Sequence, residues 1–421
     1  MSSPKATTNP TPLELCIGPL PEDEFFRAHW EQQPLVCVRE NDRGRFSDLI
    51  SVRDFDRIVS CGNLRYPFFR LFKGGNLIPI ENCTTQRQVG SDVDRDLADL
   101  NVVYDQYSSG ATIVLQVLER SWPPLVALCR DLEVQFGCPV QAYAYLSPAS
   151  AQGPPAHYDT HDVFVLQVGG RKKWKVWGNP RPLPLRKSSD SYDPDLVGAE
   201  VRAKAPLYEV TLEPGDSIYL PRGFIHEAVT TDCSSLHISI GVMVNRWLDV
   251  MIELTENALA KCRQDLPFRK AIPAGRYPGQ PPDEEAGRYF EGLKSEFLKS
   301  FDLRRGLEMV RHEFVSSRTP SNRGRLLDLE QLDTVNEETR VFRRRDIISR
   351  VEKTAEAVTL SLNGGGEEQF DARFGPAVDF TTGADAFRVS ELPGDLGGGE
   401  KIDFAKRLIG AGYLTLQPGL A

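Results

Sequence analysis

At 421 residues, with 40% apolar and 26% charged residues, the chain has room for a sizeable core and for two or three domains. Its 50 Lys and Arg against 59 Asp and Glu leave a net charge of −9, which favours solubility and argues against broad electrostatic attachment to nucleic acid. The eight cysteines are scattered without a C-x-x-C pair, which excludes the usual zinc spacings and a disulfide framework and points to a reducing compartment. The first fifteen residues lack the apolar core of a signal peptide. No stretch reaches the roughly eighteen apolar residues of a membrane span, so a soluble cytoplasmic protein is expected.

Residues 1–12 are polar and proline-containing, and are expected to be disordered. From Pro21 on, Phe25, Phe26, His29 and Trp30 recur at helical spacing behind the acidic Asp23 and Glu24. Gln33–Val38 then reads as a strand. Ser47–Ser60 predicts a short helix with Leu49, Val52, Phe55 and Ile58 on one face, and Arg65–Leu71 predicts another strand. His29 has no metal-like company and is expected to be structural. Ala111–Leu118 reads as a strand or the start of a buried helix. Pro123–Phe136 predicts a helix buried through Leu125, Cys129, Leu132 and Phe136. Gln141–Leu146 alternates as a strand, with Tyr143 and Tyr145 on one face and alanines on the other.

The most informative stretch follows, from Gln152 to Gly178. His157 and Asp159 stand two apart in front of the apolar run Val163–Leu166, a spacing that on a strand points both side chains to one face. One imidazole and one carboxylate meeting at a point are two-thirds of the facial triad that holds non-haem Fe(II) and leaves other positions open. The third ligand is offered by His226, at the end of Pro214-Gly215-Asp216, an apolar strand, and Pro221-Arg222-Gly223-Phe224-Ile225-His226. Between them, a turn is expected at Gly169-Gly170, followed by the alternating strand Arg171–Trp177. If Lys172 faces inward, so do Trp174 and Val176, while Lys173, Lys175 and Trp177 face out. Lys172 thus shares parity with apolar residues, where a lysine without an anionic partner is costly. Ser235–Val242 is a further strand, with His237, Ser239 and Gly241 on its polar face.

H-Y-D before an F-V-L-Q strand, G-R-K-K-W, P-G-D and P-R-G-F-I-H, in that order, resemble the JmjC-type 2-oxoglutarate oxygenases. The ribosomal-oxygenase-like bacterial branch is the nearest, and the opening W-E-x-x-P-L and L-R-Y-P segments extend the resemblance toward the N-terminus. The resemblance implies a mainly β fold with α: a double-stranded β-helix (jelly-roll) catalytic domain over residues 13–244. It implies Fe(II) on His157, Asp159 and His226, and 2-oxoglutarate as cosubstrate with dioxygen. The far carboxylate of 2-oxoglutarate would be held by Lys172 with Tyr145, and Ser239 would lie near it. His237, His161 and Asp162 would then lie around the site or at its rim, since three better-placed ligands fill the metal's protein positions. Two departures bear on the substrate: Tyr143 stands where relatives often have Asn, and Gly241 where they often have Ser.

Beyond the barrel, Asn245–Val315 reads as helical. One stripe comprises Trp247, Val250, Met251 and Leu254, and a second comprises Tyr289, Leu293, Phe297 and Leu307, with a Pro/Gly loop at Ile272–Pro282 between them. The resemblance implies a dimerisation region over residues 245–318, hence a homodimer. Residues 319–421 read as a separate module: Ala357–Leu362 turns at Gly364–Gly366 toward Gln369–Phe374, and a helix at Ile402–Ile409 precedes the strand Tyr413–Leu416. That order suggests a winged helix, which the family also has. With 13 Lys and Arg against 17 Asp and Glu it lacks a basic face, so direct DNA binding is not expected. The function expected is hydroxylation of a protein side chain, His or Arg of a ribosomal protein, coupled to 2-oxoglutarate decarboxylation; the acidic charge suits a basic target. The alternatives are a hydroxylase of a small peptide or natural product, lysine demethylation, and a non-catalytic cupin-like binding protein.

Overall fold

Eleven strands run through the first part of the chain: β1 (Leu35–Cys37), β2 (Phe69–Lys73), β3 (Asn76–Leu77), β4 (Thr84–Val89), β5 (Asp92–Ala98), β6 (Thr112–Leu115), β7 (Val140–Ser147), β8 (Asp162–Val176), β9 (Tyr208–Leu212), β10 (Ser217–Leu220) and β11 (His226–Val242). The computed structural model describes residues 10–61, 63–185, 193–272, 283–320 and 322–420. Residues 1–9 of the expected disordered segment, and all but Ile272 of the Pro/Gly loop, lie outside them. The chain divides into two compact units, one ending at Val244 and one beginning at Asn245.

In the first unit nine strands join in the order β1-β10-β8-β11-β7-β6-β2-β3, with β9 added on β8, and every pairing is antiparallel. β8 and β11 are the long members. The first half of β8 lies between β10 and β11, and its second half lies between β9 and β11. The expected turn at Gly169-Gly170 is not formed. β8 runs through both glycines, and Gly170 takes φ +62° where the register against β11 jumps between Thr230 and Ser235. A Cβ there would lie 1.7 Å from the Ser234 carbonyl oxygen, so only glycine fits. A second register shift, where Val168 is left unpaired between Gly169 opposite Leu236 and Gln167 opposite His237, reverses the parity of β8: Val163 and Val165 face the same cavity as Lys172 and Trp174. Inward Lys172, Trp174 and Val176 are as expected. Trp177, expected outside, is instead buried against Tyr158, Val197 and Ile225, because the chain leaves the strand at Val176.

Packing explains the other shifts. The helix Pro123–Phe136 begins with proline in its first turn and stops at Gly137 in the left-handed region, as the pattern predicts. The helix expected from Ser47 begins only at Val52, because the Ser51 hydroxyl accepts the Asp54 N–H and caps it there. Its buried face is Phe55 and Val59 rather than Val52, which is exposed. β2 starts at Phe69, beyond Pro67, which has no N–H to give. The hairpin β4–β5 has no sequence signal, since Leu97 is its sole buried side chain. The main core packs Phe25, Phe164, Tyr219 and Ile238 with the Pro123–Phe136 helix on the side of the sheet away from the cavity.

The second unit opens with helices Trp247–Cys262, Glu284–Leu298 and Leu303–Ser316. Gly306 lets the first and third cross closely, since a Cβ there would lie 2.8 Å from Val250. Val250, Leu254 and Val310 fill that contact. Trp247 and Met251, expected in the same stripe, are exposed, and the Glu284–Leu298 helix buries no residue. Then come β12 (Arg340–Arg343), β13 (Ser349–Lys353), β14 (Ala357–Leu362), β15 (Glu367–Asp371), β16 (Ala386–Arg388) and β17 (Leu414–Thr415), in two three-stranded sheets, with helices Arg325–Glu330, Gly375–Gly383 and Gly398–Gly410. Arg344, from the Arg343–Arg345 run, is buried and paired with Asp328 at 2.5 Å; Asp328 also accepts from Thr415. No described helix is long and apolar enough to cross a membrane.

Candidate metal and cosubstrate site

One cavity of about 510 Å³ opens on the inner face of β7, β8 and β11, and all six sequence-selected site residues line it. At one end, His157 and His226 form an isolated backbone bridge: His157 N–H donates to the His226 carbonyl at 3.1 Å, and the reverse bond is 2.8 Å. The two imidazoles lie side by side, 4.4 Å between centroids. His157 Nδ1 meets the Pro155 carbonyl at 2.7 Å and His226 Nδ1 meets that of Phe224 at 3.1 Å. Donation there fixes the tautomer that leaves each Nε2 free as a ligand. Asp159 sits 3.6 Å from His226 Nε2, and its backbone is held by the Gly223 N–H. The ligand atoms of the three residues lie within 4.8 Å of one another; among the described residues this is the one such group of His, Cys, Asp or Glu. His157 and Asp159 precede β8 rather than lying on it, so the bridge to β11, not strand alternation, brings them together.

The electrostatics suit a cation. Burial, with repulsion from His157, lowers His226 to a pKa of about 4 against the opposing pull of Asp159, so it is neutral near pH 7. Burial pushes Asp159 upward, but His161, His157 and His226 more than offset it and keep the carboxyl below its ordinary range. Two neutral-capable imidazoles and a carboxylate, open toward a cavity, can hold a divalent metal with positions to spare.

At the other end of the cavity lies Lys172, 1% exposed. Its Nζ donates to Ser147 Oγ at 3.0 Å, and Ser147 in turn shares a 2.8 Å bond with Thr112. No carboxylate of the described residues pairs with it. Burial alone lowers its pKa to about 7. Tyr145, two residues before Ser147 on the same face of β7, lies against the ring of His237 (4.7 Å, 8°). Trp174 closes the other side of His237 edge-on at 5.5 Å. Ser239 stands on β11 between Tyr143 and Val165. An ammonium with no anion, beside a hydroxyl and in a cavity that a phenol also lines, can receive a carboxylate group.

The residues expected at the rim divide. His161 lines the cavity and lies over Gly241, where a Cβ would come within 2.7 Å of its ring. Asp162 does not: it is fully buried on the opposite face, paired with Arg222 at 2.8 Å and accepting from Tyr219. The turn that carries Arg222 needs this anchor, because β8 and β10 meet there. Ser147 and Thr112 were not singled out in the sequence. Ser147 follows Tyr145 at strand parity in Y-L-S-P, which was signal enough; Thr112 had none. Arg70 and Gln116 also border the cavity, from β2 and just beyond β6. Nothing in their local pattern tells a cavity residue from a solvated one.

Residues 122–250 match the family model described as the JmjC domain. Ribosomal oxygenase 1 of Gallus gallus is 34% identical over 263 residues, 61% of this chain and 41% of that protein. The bifunctional lysine-specific demethylase and histidyl-hydroxylase NO66 of Aedes aegypti is 31% identical over 262 residues, 61% and 39% of the two chains. The chain therefore spans about two-fifths of the length of these curated relatives. Among solved structures, the Escherichia coli ribosomal oxygenase YcfD in complex with cobalt and 2-oxoglutarate aligns over 94% of this chain and 98% of its own, with a TM-score of 0.56 and 19% identity. That likeness is one of fold, and it covers both units of the chain.

Proposed function

We propose, from the match of residues 122–250 to the JmjC domain and the similarity to ribosomal oxygenases, an Fe(II)- and 2-oxoglutarate-dependent dioxygenase that hydroxylates a protein side chain. The observation that carries the proposal is one cavity with an open His157–Asp159–His226 cluster at one end and the anion-less cation of Lys172 at the other. Iron with 2-oxoglutarate and dioxygen supplies the oxidising chemistry when bound. The chain's part is orientation and exclusion of water. His157 and His226, held by their carbonyl partners, offer their Nε2 atoms, and Asp159 offers the carboxylate. Lys172, kept in place by Ser147, takes the far carboxylate of 2-oxoglutarate, with the Tyr145 hydroxyl and Ser239 beside it. Trp174, Val163 and Val165 make the walls apolar, which strengthens these charge contacts.

A basic ribosomal protein is the substrate class we favour, because the relatives are named for it and the chain carries a net charge of −9. The second reading, a small peptide or natural product, is favoured by one observation: Tyr143, His161 and Gly241 give this cavity its own substrate-side wall. Anaerobic Fe(II) loading, then air and 2-oxoglutarate, with succinate as readout, tests the proposal. Succinate that rises with a ribosomal protein fraction, and a +16 Da shift on one of its peptides, is the expected result. Formaldehyde release would indicate demethylation. Succinate without that stimulation would move the search to small peptides, and no succinate in any condition would leave a non-catalytic cupin-like protein.

We further read residues 13–244 as the catalytic domain, 245–318 as a dimerisation region and 319–421 as a winged-helix-like protein-contact module. The helix Trp247–Cys262 leaves Trp247 (71% exposed), Leu248, Met251 and Ile252 exposed, an apolar face that a second copy of the chain would cover. Trp247→Glu with Met251→Glu is expected to halve the mass measured by light scattering. A wild-type chain that is already monomeric at micromolar concentration would refute the dimer. A DNA duplex retained at low salt would refute the protein-contact reading.

A further inference from the structure

We propose that His237 is a positioning residue, whose ring fixes the Tyr145 ring in the wall of the cavity that Lys172 also lines, where the cosubstrate carboxylate is to bind. The inference rests on the oxygenase reading above and adds to it a residue assigned neither to the metal nor to the cosubstrate. In the β7–β11 pairing, His237 is directly opposite Tyr145. On the β8 side, a register shift falls between Leu236 and His237, with Val168 of β8 as the extra residue, so that His237 stands opposite Gln167. Its imidazole then lies parallel to the Tyr145 ring, 4.7 Å between centroids at 8°, and meets the Trp174 ring at 84° on the other side.

His237 is 2% exposed, and its buried Nδ1 has no hydrogen-bond partner. No hydrogen bond at that atom orients the ring, so its pose is set by its aromatic neighbours, and theirs by it. Burial first, and the nearby Lys172 ammonium second, keep the imidazole neutral, so it faces Tyr145 as a flat uncharged plate. Tyr145 and Ser147 share one face of β7, and Ser147 is bonded to Lys172. Tyr145, Lys172 and His237 line one cavity, so a displacement of the Tyr145 side chain would reshape the wall that the cosubstrate meets.

Calorimetric titration of 2-oxoglutarate into the full-length, Mn(II)-loaded protein without oxygen tests this independently of turnover. His237→Leu, which keeps bulk but not a flat face, is expected to weaken binding about tenfold with Mn(II) affinity unchanged. His237→Phe is expected to restore it. Tyr145→Phe should lose a similar factor, and the double variant His237→Leu/Tyr145→Phe should be no weaker than Tyr145→Phe alone. Losses that multiply in the double variant, or a His237→Leu protein that binds like the wild type, would overturn the proposal. If His237→Leu does not fold, His237→Phe decides: a tenfold loss with the flat ring retained would also overturn it. Wild-type protein that binds Mn(II) but no 2-oxoglutarate would instead bring down the oxygenase reading, and this inference with it.

Discussion

Asp159→Ala is expected to lower 2-oxoglutarate turnover on the order of 10³-fold or more, because it removes one of the three proposed metal-holding groups and the only carboxylate among them. The effect on the fold should be small. Asp159 is partly open to the cavity, and its neighbour His226 titrates only near pH 4, so at pH 7 the 3.6 Å contact joins a carboxylate to a neutral ring. The sign follows from the shifts. Asp159 is held below its ordinary range, so what it gives to stability is present at neutral pH and fades as the pH falls through its folded value. His226, held down at about 4, is a neutral ligand across the physiological range, so acid should disturb metal binding through this residue only near that pH. Iron content after anaerobic loading, succinate yield and melting temperature together check the expectation. An Asp159→Ala protein that holds one iron and turns over like the wild type would remove the metal assignment.

The site was more legible in the sequence than the scaffold around it. His157, Asp159 and His226 are chemically unusual at their spacing, and a lysine at buried parity stands out because an unpaired charge there is expensive. All of them line one cavity, although the backbone reason is a bridge between His157 and His226 rather than a shared strand. What could not be read were features set by the far side of a contact. The bulge at Gly170 admits only glycine because Ser234 of the neighbouring strand leaves no room for a Cβ, and a Gly-Gly pair reads equally well as a turn. Trp177 is buried by residues distant in sequence. Asp162, one residue from His161, faces the opposite way to meet Arg222, a pairing that its own segment does not encode. In the helices after the barrel, the apolar stripes were visible. Which half of the first stripe is buried depends on the close crossing that Gly306 allows, and none of the second stripe is fully buried.

Lys172→Met is expected to have two opposite effects, and together they separate a binding residue from a structural one. Without its cosubstrate the wild type carries a buried lysine whose nearest polar partner is a hydroxyl, and burial lowers its pKa from 10.5 to about 7. Between pH 7 and 10.5 the unfolded chain therefore binds more protons than the folded one, and stability rises with pH across that window. Below pH 7 the charge sits in the cavity at full cost. Methionine removes that cost while nearly filling the same volume. The metal-free variant should thus melt higher near pH 6, on the order of 5 °C, with the gap narrowing toward pH 10. The charged and titratable groups facing Lys172 do not obscure this: burial with the Lys172 charge holds His237 well below its ordinary value, and burial with the Asp159 charge pushes Tyr145 up. Binding runs the other way. A dianion at this end of the cavity needs the ammonium, so 2-oxoglutarate affinity in the wild type should fall as pH rises above about 7. In Lys172→Met it should be about 100-fold weaker and nearly independent of pH. Thermal melts from pH 6 to 10, with and without Mn(II) and 2-oxoglutarate, read both effects in one series. A variant that melts lower than the wild type without ligand, yet is still stabilised by 2-oxoglutarate, would show that Lys172 holds the barrel together and that the cosubstrate's carboxylate is received elsewhere.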